Sequence, residues 1–219
     1  CYITDGTQNP WSGFLIIQDD TTAVNTLFGF VQEGDYCYFT GRVATYTGLT
    51  QLNVLTNPAV PITIVSSGNT LPDPVLLTCG DVETHGAGEQ WESMKVRVEG
   101  ATVTNNNFTS NTAVITDGTG NGYIDDYFWF YRSQFNSGFN PWPSNGTNLN
   151  IVGFTRDVGQ AYFTVNPRDD SDFEILTNPP TIDDISRNPG VPTSSDDVEV
   201  QATIVDNGSV ATAEIFYSV

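Results

Sequence analysis

One pentapeptide occurs twice in this sequence, and the chain around it repeats in register. Ile-Thr-Asp-Gly-Thr stands at residues 3–7 and again at residues 115–119. At the same offset, segment 34–43 corresponds to segment 146–155, and both have glycine at their first and eighth positions. Several blocks in one register indicate an internal duplication. We therefore interpret the chain as two copies of one small module, followed by a tail.

Each copy has the residue pattern of short β-strands. Thr, Asn, Gly, Val and aromatic residues dominate and only 15% of residues are charged, which favours strands joined by turns. The first copy predicts strands at residues 1–5, 13–18, 35–44, 49–55 and 61–66. The second copy predicts strands at residues 91–98, 113–117, 122–130, 147–155 and 160–166. Five strands with a long third connection, present twice, are the plan of tandem OB-like β-barrels, so we predict an all-β fold.

The first strand of the second copy has no counterpart in the first copy. It precedes the second pentapeptide, so its counterpart would lie ahead of Cys1. A barrel without one strand has two unpaired edges. We expect the missing strand to come from upstream residues, or alternatively from another chain. Because Cys1 aligns with Ala113 inside a strand, we also expect the chain to be an internal fragment of a larger polypeptide.

Turn-forming residues predict the domain boundaries. Segment 68–74 is a linker by composition, and Asn178-Pro179-Pro180 marks a second boundary. We therefore assign residues 1–76 to a first OB-like domain and residues 77–177 to a second. We assign residues 178–219 to the beginning of a third domain, with strands predicted at residues 198–204 and 213–217.

These segments resemble a particular family. Segments 3–7 and 34–43 are similar to the tandem OB-like domains of secreted Bacteroidetes-type multidomain proteins, which often accompany nucleases. Segments 92–96 and 167–170 resemble the start and end of the second such domain, and segment 180–206 is similar to the opening half of bacterial Ig-like repeats. The resemblance implies a partial Ig-like β-sandwich after the barrels and a secreted or cell-surface location. Its motifs are strand and turn signatures, which indicate fold better than activity.

The resemblance favours a non-catalytic structural or ligand-binding module of a large secreted or cell-surface protein. Any catalytic domain would lie elsewhere in the polypeptide. The single histidine, His85, lies in a Gly-rich stretch and is expected to be exposed in a loop. Without a second histidine or a paired cysteine, neither a zinc site nor an activated nucleophile is predicted. The alternatives are an accessory region of an extracellular nuclease and a self-assembling subunit that a donated strand completes.

Charge and hydropathy limit the partners. The net charge is −19, with 26 acidic and seven basic residues, so direct nucleic-acid binding is disfavoured. The longest apolar runs are too short for membrane insertion. We expect partners among other domains of the polypeptide or neighbouring surface proteins, with a glycan as a candidate ligand. Three cysteines do not make a disulfide framework, and a Cys37–Cys79 bridge is left open.

One loop carries a candidate metal site. Oxygen donors at Asp117, Thr119, Asn121 and Asp125 follow the spacing of an EF-hand loop. Phe128 stands where that loop has a bidentate glutamate, and no flanking helices are predicted. Ca²⁺ is therefore the only candidate cofactor, and a β-hairpin turn is the alternative.

Four aromatic residues are candidate ligand-binding groups. They are Trp11, Tyr46, Phe139 and Trp142. Rings in Pro-, Gly- and Asn-rich loops can stack on a sugar ring or on a partner protein. The alternative for Phe139 and Trp142 is that they cap the open end of the barrel.

Overall fold

Strands dominate the computed structural model, which describes residues 1–20, 22–176, 181–205 and 212–214. The predicted all-β class is confirmed. The strands are β1 (Tyr2–Thr4), β2 (Gly13–Ile17), β3 (Tyr36–Tyr38), β4 (Arg42–Tyr46), β5 (Leu49–Asn53), β6 (Thr63–Ser66), β7 (Val75–Leu77), β8 (Lys95–Asn105), β9 (Ala113–Thr116), β10 (Asn121–Ile124), β11 (Asn148–Val158), β12 (Tyr162–Asn166), β13 (Phe173–Leu176), β14 (Thr181–Asn188) and β15 (Glu199–Val205). The helices are α1 (His85–Gly88) and α2 (Trp129–Asn136), and 3-10 turns lie at Phe28–Phe30, Cys79–Asp81, Glu89–Trp91 and Asp170–Asp172.

The second copy forms a closed five-stranded barrel. β9 pairs antiparallel with β8 and β10, β10 pairs parallel with β12, and β12 pairs antiparallel with β11. The antiparallel pair of β11 with β8 closes the ring. β7 and β13 extend the sheet. The barrel encloses seventeen buried core residues, which include Val96, Val98, Ile115, Ile151 and Phe163.

The first copy repeats this strand order in an open sheet. β1 pairs antiparallel with β2, β2 pairs parallel with β5, and β5 pairs antiparallel with β4. Among the described residues no strand takes the place that β8 has in the second copy, so β1 and β4 are the edges of this sheet. Its core cluster has only three fully buried members, Ile16, Val54 and Ile62. We call residues 1–74 the first module and residues 75–175 the second module.

Two glycines show that the copies agree in detail. A Cβ atom on Gly41 would lie 2.5 Å from the carbonyl oxygen of Asn53, and one on Gly153 would lie 2.7 Å from that of Asn166. Asn53 and Asn166 end the paired strands β5 and β12. Because the backbone of the neighbouring strand passes so close, only glycine fits at either position.

The two modules pack against each other within one compact unit, Cys1–Ile175. The Trp11 N–H donates to the Gln90 carbonyl oxygen at 2.7 Å. A Cβ atom on Gly13 would lie 2.5 Å from Met94 Cγ, and one on Gly48 would overlap the carboxylate of Asp157. Gly48 also has a φ of +95°, which favours glycine. At both contacts the first module contributes a glycine, which leaves room for a side chain of the second module.

Three predicted strands differ from the observed ones. The strand expected at 91–98 begins only at Lys95, after the 3-10 turn at Glu89–Trp91, and continues to Asn105. The strand expected at 122–130 ends at Ile124, and α2 follows. Tyr131 and Phe135, four positions apart on α2, both pack on the Trp142 ring, and this contact favours a helix over a strand. The strand expected at 35–44 is divided into β3, which pairs with β6, and β4, which pairs with β5.

The tail is a separate compact unit, Leu176–Val219. β14 and β15 pair antiparallel, with a register shift between Asp183 and Ser186. The strand expected at 198–204 corresponds to β15. The boundary expected at 178–180, and most of the strand expected at 213–217, lie outside the described residues. The Ig-like assignment stays a prediction.

Candidate functional site

An apolar cleft of about 540 Å³ lies beside the edge strand β1. Residues 1–4 form one wall. Cys37 and Phe39, at and after β3, also line the cleft, as do Leu15, Ile17 and Val31. A concave, mostly apolar surface of this volume is typical of a ligand site.

The second module contributes an aromatic wall to the same cleft. Tyr2 stacks on Phe154 with ring centroids 4.4 Å apart, and Tyr127 and Phe128 pack beside it. Burial raises the pKa of the Tyr2 hydroxyl above its ordinary value, so this group stays protonated. The Arg156 guanidinium lies over the Tyr127 ring at 4.6 Å. These contacts fix the wall in place.

The repeated pentapeptide makes the same turn in both modules. The backbone N–H of Thr7 donates to Asp5 Oδ1 at 2.8 Å, and the N–H of Thr119 donates to Asp117 Oδ1 at 3.0 Å. The two threonine hydroxyls donate to the same oxygens. Gly6 and Gly118 have φ angles of +86° and +90°, which glycine adopts without strain. The pentapeptide is therefore a folding signal for the hairpin.

The four residues of the predicted calcium loop are held by hydrogen bonds within the protein. Both oxygens of Asp117 accept, Oδ1 from Thr119 and Oδ2 from the Cys79 N–H. Asn121 donates to Glu83 Oε1, and Asp125 lies buried 3.8 Å from Arg156. Asp117 and Thr119 thus belong to the turn between β9 and β10, and Asn121 begins β10. A cation would have to displace the Asp117 bonds.

Within the described ranges, no group of three His, Cys, Asp or Glu side chains is placed to hold a metal ion. Calcium binding at Asp117, Thr119, Asn121 and Asp125 stays a prediction. Thermal unfolding with added calcium and with a chelator tests it. A rise in Tm that Asp117→Asn abolishes would support the site, and an unchanged Tm would argue against it.

The four candidate aromatic residues differ in exposure. Trp11, Tyr46 and Phe139 are 68%, 63% and 61% exposed, whereas Trp142 is 4% exposed. The Trp142 indole N–H donates to the Asn111 carbonyl oxygen at 2.6 Å, and its ring packs on Tyr131. Trp142 is thus a core residue without a free face. Trp11, Tyr46 and Phe139 lie on separate surface elements.

His85 belongs to a helix and not to an exposed loop. It begins α1, and its Nδ1 lies 3.4 Å from Glu89 Oε2 and 3.5 Å from Asp157 Oδ1. Its ring stacks on buried Phe163 with centroids 6.1 Å apart. The expectation of an exposed loop histidine was therefore wrong, because the Thr84 hydroxyl caps a helix at this point. We assign His85 a packing role.

Most cationic side chains of the second module are paired with carboxylates. The pairs are Arg97 with Glu99 and Glu174, Arg132 with Asp126, Arg156 with Asp125, and Arg168 with Asp172 and Glu33. Paired guanidinium groups contribute little net positive field to a surface. The described residues therefore present no cationic groove of the kind that single-stranded nucleic acids need.

The cysteines carry free thiols. Cys1, Cys37 and Cys79 are all unbridged, so the bridge that the sequence left open is absent. Cys79 is buried, and burial raises the pKa of its thiol to about 12. Burial also raises the pKa of the Cys37 thiol, and the charge of Asp35 adds to this effect. Cys37 nevertheless lines the cleft.

The cleft residues were missed by the sequence reasoning as binding groups. The signal that could have found them is the position of β1 at the edge of its sheet, since among the described strands β1 pairs only with β2. In the part of the chain that the structure describes, no helix is long and apolar enough to cross a membrane. No protein-family model and no curated protein matches this sequence.

Proposed function

We propose that this chain is a non-catalytic, ligand-binding β-module of a large secreted or cell-surface protein, and that its ligand binds in the cleft beside β1, which both modules line. The observation that carries the proposal is the apolar cleft of about 540 Å³ beside the open edge of β1. Rigid strands on both sides position its side chains, and such support suits a binding site.

The charge distribution supports a partner other than nucleic acid. The chain has a net charge of −19, and the cleft is lined by Glu33, Asp35 and Asp73 together with Lys95 and Arg168. Phosphate groups would meet a repulsive field there. The same charge keeps an extracellular module soluble, which supports a secreted or surface location.

A binding role agrees with the packing of the chemically reactive groups. His85 is held against two carboxylates and Phe163, and Cys79 is buried with a raised pKa. Neither group faces the cleft. We therefore assign the cleft to recognition and leave any catalysis to other domains of the polypeptide.

Backbone amide NMR of the chain tests the proposal. Oligosaccharides, short peptides and single-stranded oligonucleotides are added in separate titrations. We expect one of the first two classes to shift the amides of β1, Cys37 and Phe39, and we expect oligonucleotides to shift none. Oligonucleotide binding with a steep salt dependence would favour the nuclease-accessory alternative. Shifts only outside the cleft would overturn the proposal.

A further inference from the structure

One hydrogen bond between the two modules is made by a half-buried carboxylate. Glu92 stands between the 3-10 turn at Glu89–Trp91 and β8 of the second module. Both of its carboxylate oxygens accept from the backbone N–H of Thr50, at 3.2 and 3.3 Å. Thr50 lies on β5 of the first module. The charge state of Glu92 therefore bears directly on the contact between the modules.

Two further carboxylates lie at the same contact. Asp157 on β11 is 1% exposed, and a Cβ atom on Gly48 of the first module would overlap its carboxylate. The negative charges of Glu89 and Asp157 both act on the Glu92 carboxyl. Among the described residues, no Lys or Arg side chain forms an ion pair with any of these three carboxylates. Like charges repel most strongly where water is excluded, so this contact is strained when all three are ionised.

The titratable group of α1 that faces this cluster is His85. Its Nδ1 atom lies 3.4 Å from Glu89 Oε2 and 3.5 Å from Asp157 Oδ1. Both Nδ1 and Glu89 Oε2 are buried and have no hydrogen-bond partner among the described residues. A proton on Nδ1 would place a positive charge between the two carboxylates. Protonation of His85 therefore reduces the negative charge at the contact, as protonation of Glu92 does.

The surroundings of Glu92 favour its protonated form. Burial raises the pKa of this carboxyl above 4.5, the bond from Thr50 opposes the rise, and the charges of Glu89 and Asp157 add to it. Tyr2 also neighbours Glu92, but its hydroxyl stays neutral because burial raises its pKa. A protonated carboxyl keeps an oxygen that accepts from the Thr50 N–H, so the hydrogen bond survives protonation.

The sign of the pH dependence follows from this rise. If the modules separate, water surrounds the Glu92 carboxyl and its pKa returns to the ordinary value. A carboxyl whose pKa is raised in the closed contact stabilises that contact in acid. This contribution is lost as pH rises through the raised pKa.

We propose that the contact between the two modules at Glu92 is pH-dependent, tight in mild acid and looser toward neutral pH as the carboxylates of the cluster become charged. The inference concerns the relative motion of the modules and does not depend on the proposed binding function. Polar contacts between modules of one chain permit such motion. The cluster thus regulates how firmly β5 is held against the second module.

Amide hydrogen exchange of the chain, measured by NMR as protection factors, tests the inference. We expect the protection factor of the Thr50 amide to fall about tenfold between about pH 5 and about pH 7.5. The Trp11 amide, which donates to the Gln90 carbonyl oxygen across the same contact, should fall with it. The Val54 amide donates to Ile17 within the first module, so its protection should change little.

Two variants at the contact separate the charge from the hydrogen bond. Glu92→Gln keeps an acceptor for the Thr50 N–H but carries no charge, so we expect high protection of Thr50 at both pH values. Glu89→Gln removes one repelling charge and should reduce the fall. Glu199→Gln is the matched control, because Glu199 is exposed on β15 of the tail, and it should behave like the parent.

Three results would overturn the inference. The first is a Thr50 protection factor that does not change with pH in the parent chain. The second is an equal fall in Glu92→Gln, with circular dichroism showing that the variant is folded. The third is an equal fall at Val54, because the first module would then unfold as a whole instead of separating from the second.

Discussion

The first and second modules have the same strand order and the same repeated turn, but they differ in closure. The second module has the strand β8 and seventeen buried core residues. The first module has no described equivalent of β8 and only Ile16, Val54 and Ile62 fully buried in its core cluster. Strand β4, exposed along its whole length, contrasts with β11, in which alternate residues are buried.

This difference separates the features of a module that depend on nearby residues from those that depend on a strand distant in sequence. The turn at Asp5-Gly6-Thr7 and the close approach at Gly41 depend on neighbouring residues, and both are present without closure. The depth of the core depends on a strand distant in sequence. A barrel topology can therefore be established locally, while its core is completed only when the last strand pairs.

The largest expected difference between the modules is at one pair of equivalent core positions. We expect Ile151→Ala to lower the free energy of unfolding by about 2–5 kcal/mol, because a buried side chain leaves a cavity in a closed core. Phe39→Ala should lower it by less, although a larger side chain is removed, because Phe39 is only partly buried. Urea unfolding of both variants measures this. Equal losses would contradict the view that the first core is incomplete.

Two glycines provide a comparison in which the modules should behave alike. Gly153→Ala and Gly41→Ala each place a Cβ atom against a strand carbonyl oxygen at 2.7 Å and 2.5 Å. Overpacking of this kind costs about 1–3 kcal/mol, and we expect similar losses of stability from both variants in urea unfolding. Gly29→Ala is the matched control, because a Cβ atom there meets no other atom. A much smaller loss of stability for Gly41→Ala would show that β5 moves away from the added Cβ atom in the open sheet.

The two copies of the turn should respond differently to acid. Burial opposes the ionised carboxyl of Asp117, but hydrogen bonds from Thr119 and Cys79 outweigh it and lower its pKa below 3.8. The contribution of Asp117 to folding stability is therefore present above the unfolded-state pKa, and it is lost as pH falls through the folded-state pKa. We expect Asp117→Ala to cost about 1 kcal/mol at neutral pH after solvent screening, and less in acid.

Asp5 is the matched residue for this comparison. Hydrogen bonds from Thr7 lower the pKa of Asp5, but this carboxylate is exposed and accepts no bond from a distant segment. Asp5→Ala should therefore change the stability by less than Asp117→Ala. Urea unfolding at neutral and acidic pH compares the two variants. A larger loss for Asp5→Ala would show that the bond from Cys79 to Asp117 is not important.

The smallest effect is expected at a buried carboxyl that only the second module has. Asp125 lies directly after β10, at the position that Ile17 has in β2 of the first module. Burial raises the pKa of Asp125 above 3.8. The contribution of this carboxyl to folding stability is therefore present in acid, and it is lost as pH rises through the folded-state pKa. Asp125→Asn removes this dependence, and we expect a change below ~1 kcal/mol at neutral pH because the Arg156 contact is weak. A variant with the pH profile of the parent would refute this assignment.

The sequence predicted much of the fold because its signals are local. The repeated pentapeptide, the paired glycines at 41 and 153 and the alternation around Val96 and Val98 each act within a few residues. They were sufficient for the all-β class. The helix α2 was missed, because it depends on Trp142, which lies outside the segment itself.

The candidate site was less predictable from the sequence. The cleft residues Ile3, Cys37 and Phe39 come from separate strands and look like ordinary core positions in the sequence. Trp142 looks like a loop residue, yet it is buried by the helix that the sequence analysis did not expect. Surface aromatic residues can be read from local composition, but which of them remain exposed depends on tertiary packing.

The close approach at Gly13 and Gly48 restricts how this pair of modules can be inherited. A side chain at either position would collide with Met94 or Asp157 of the other module, so each module is shaped to its neighbour. Recombination that exchanged one module for an unrelated barrel would lose that fit. We therefore expect the two modules to be transferred between proteins as a pair.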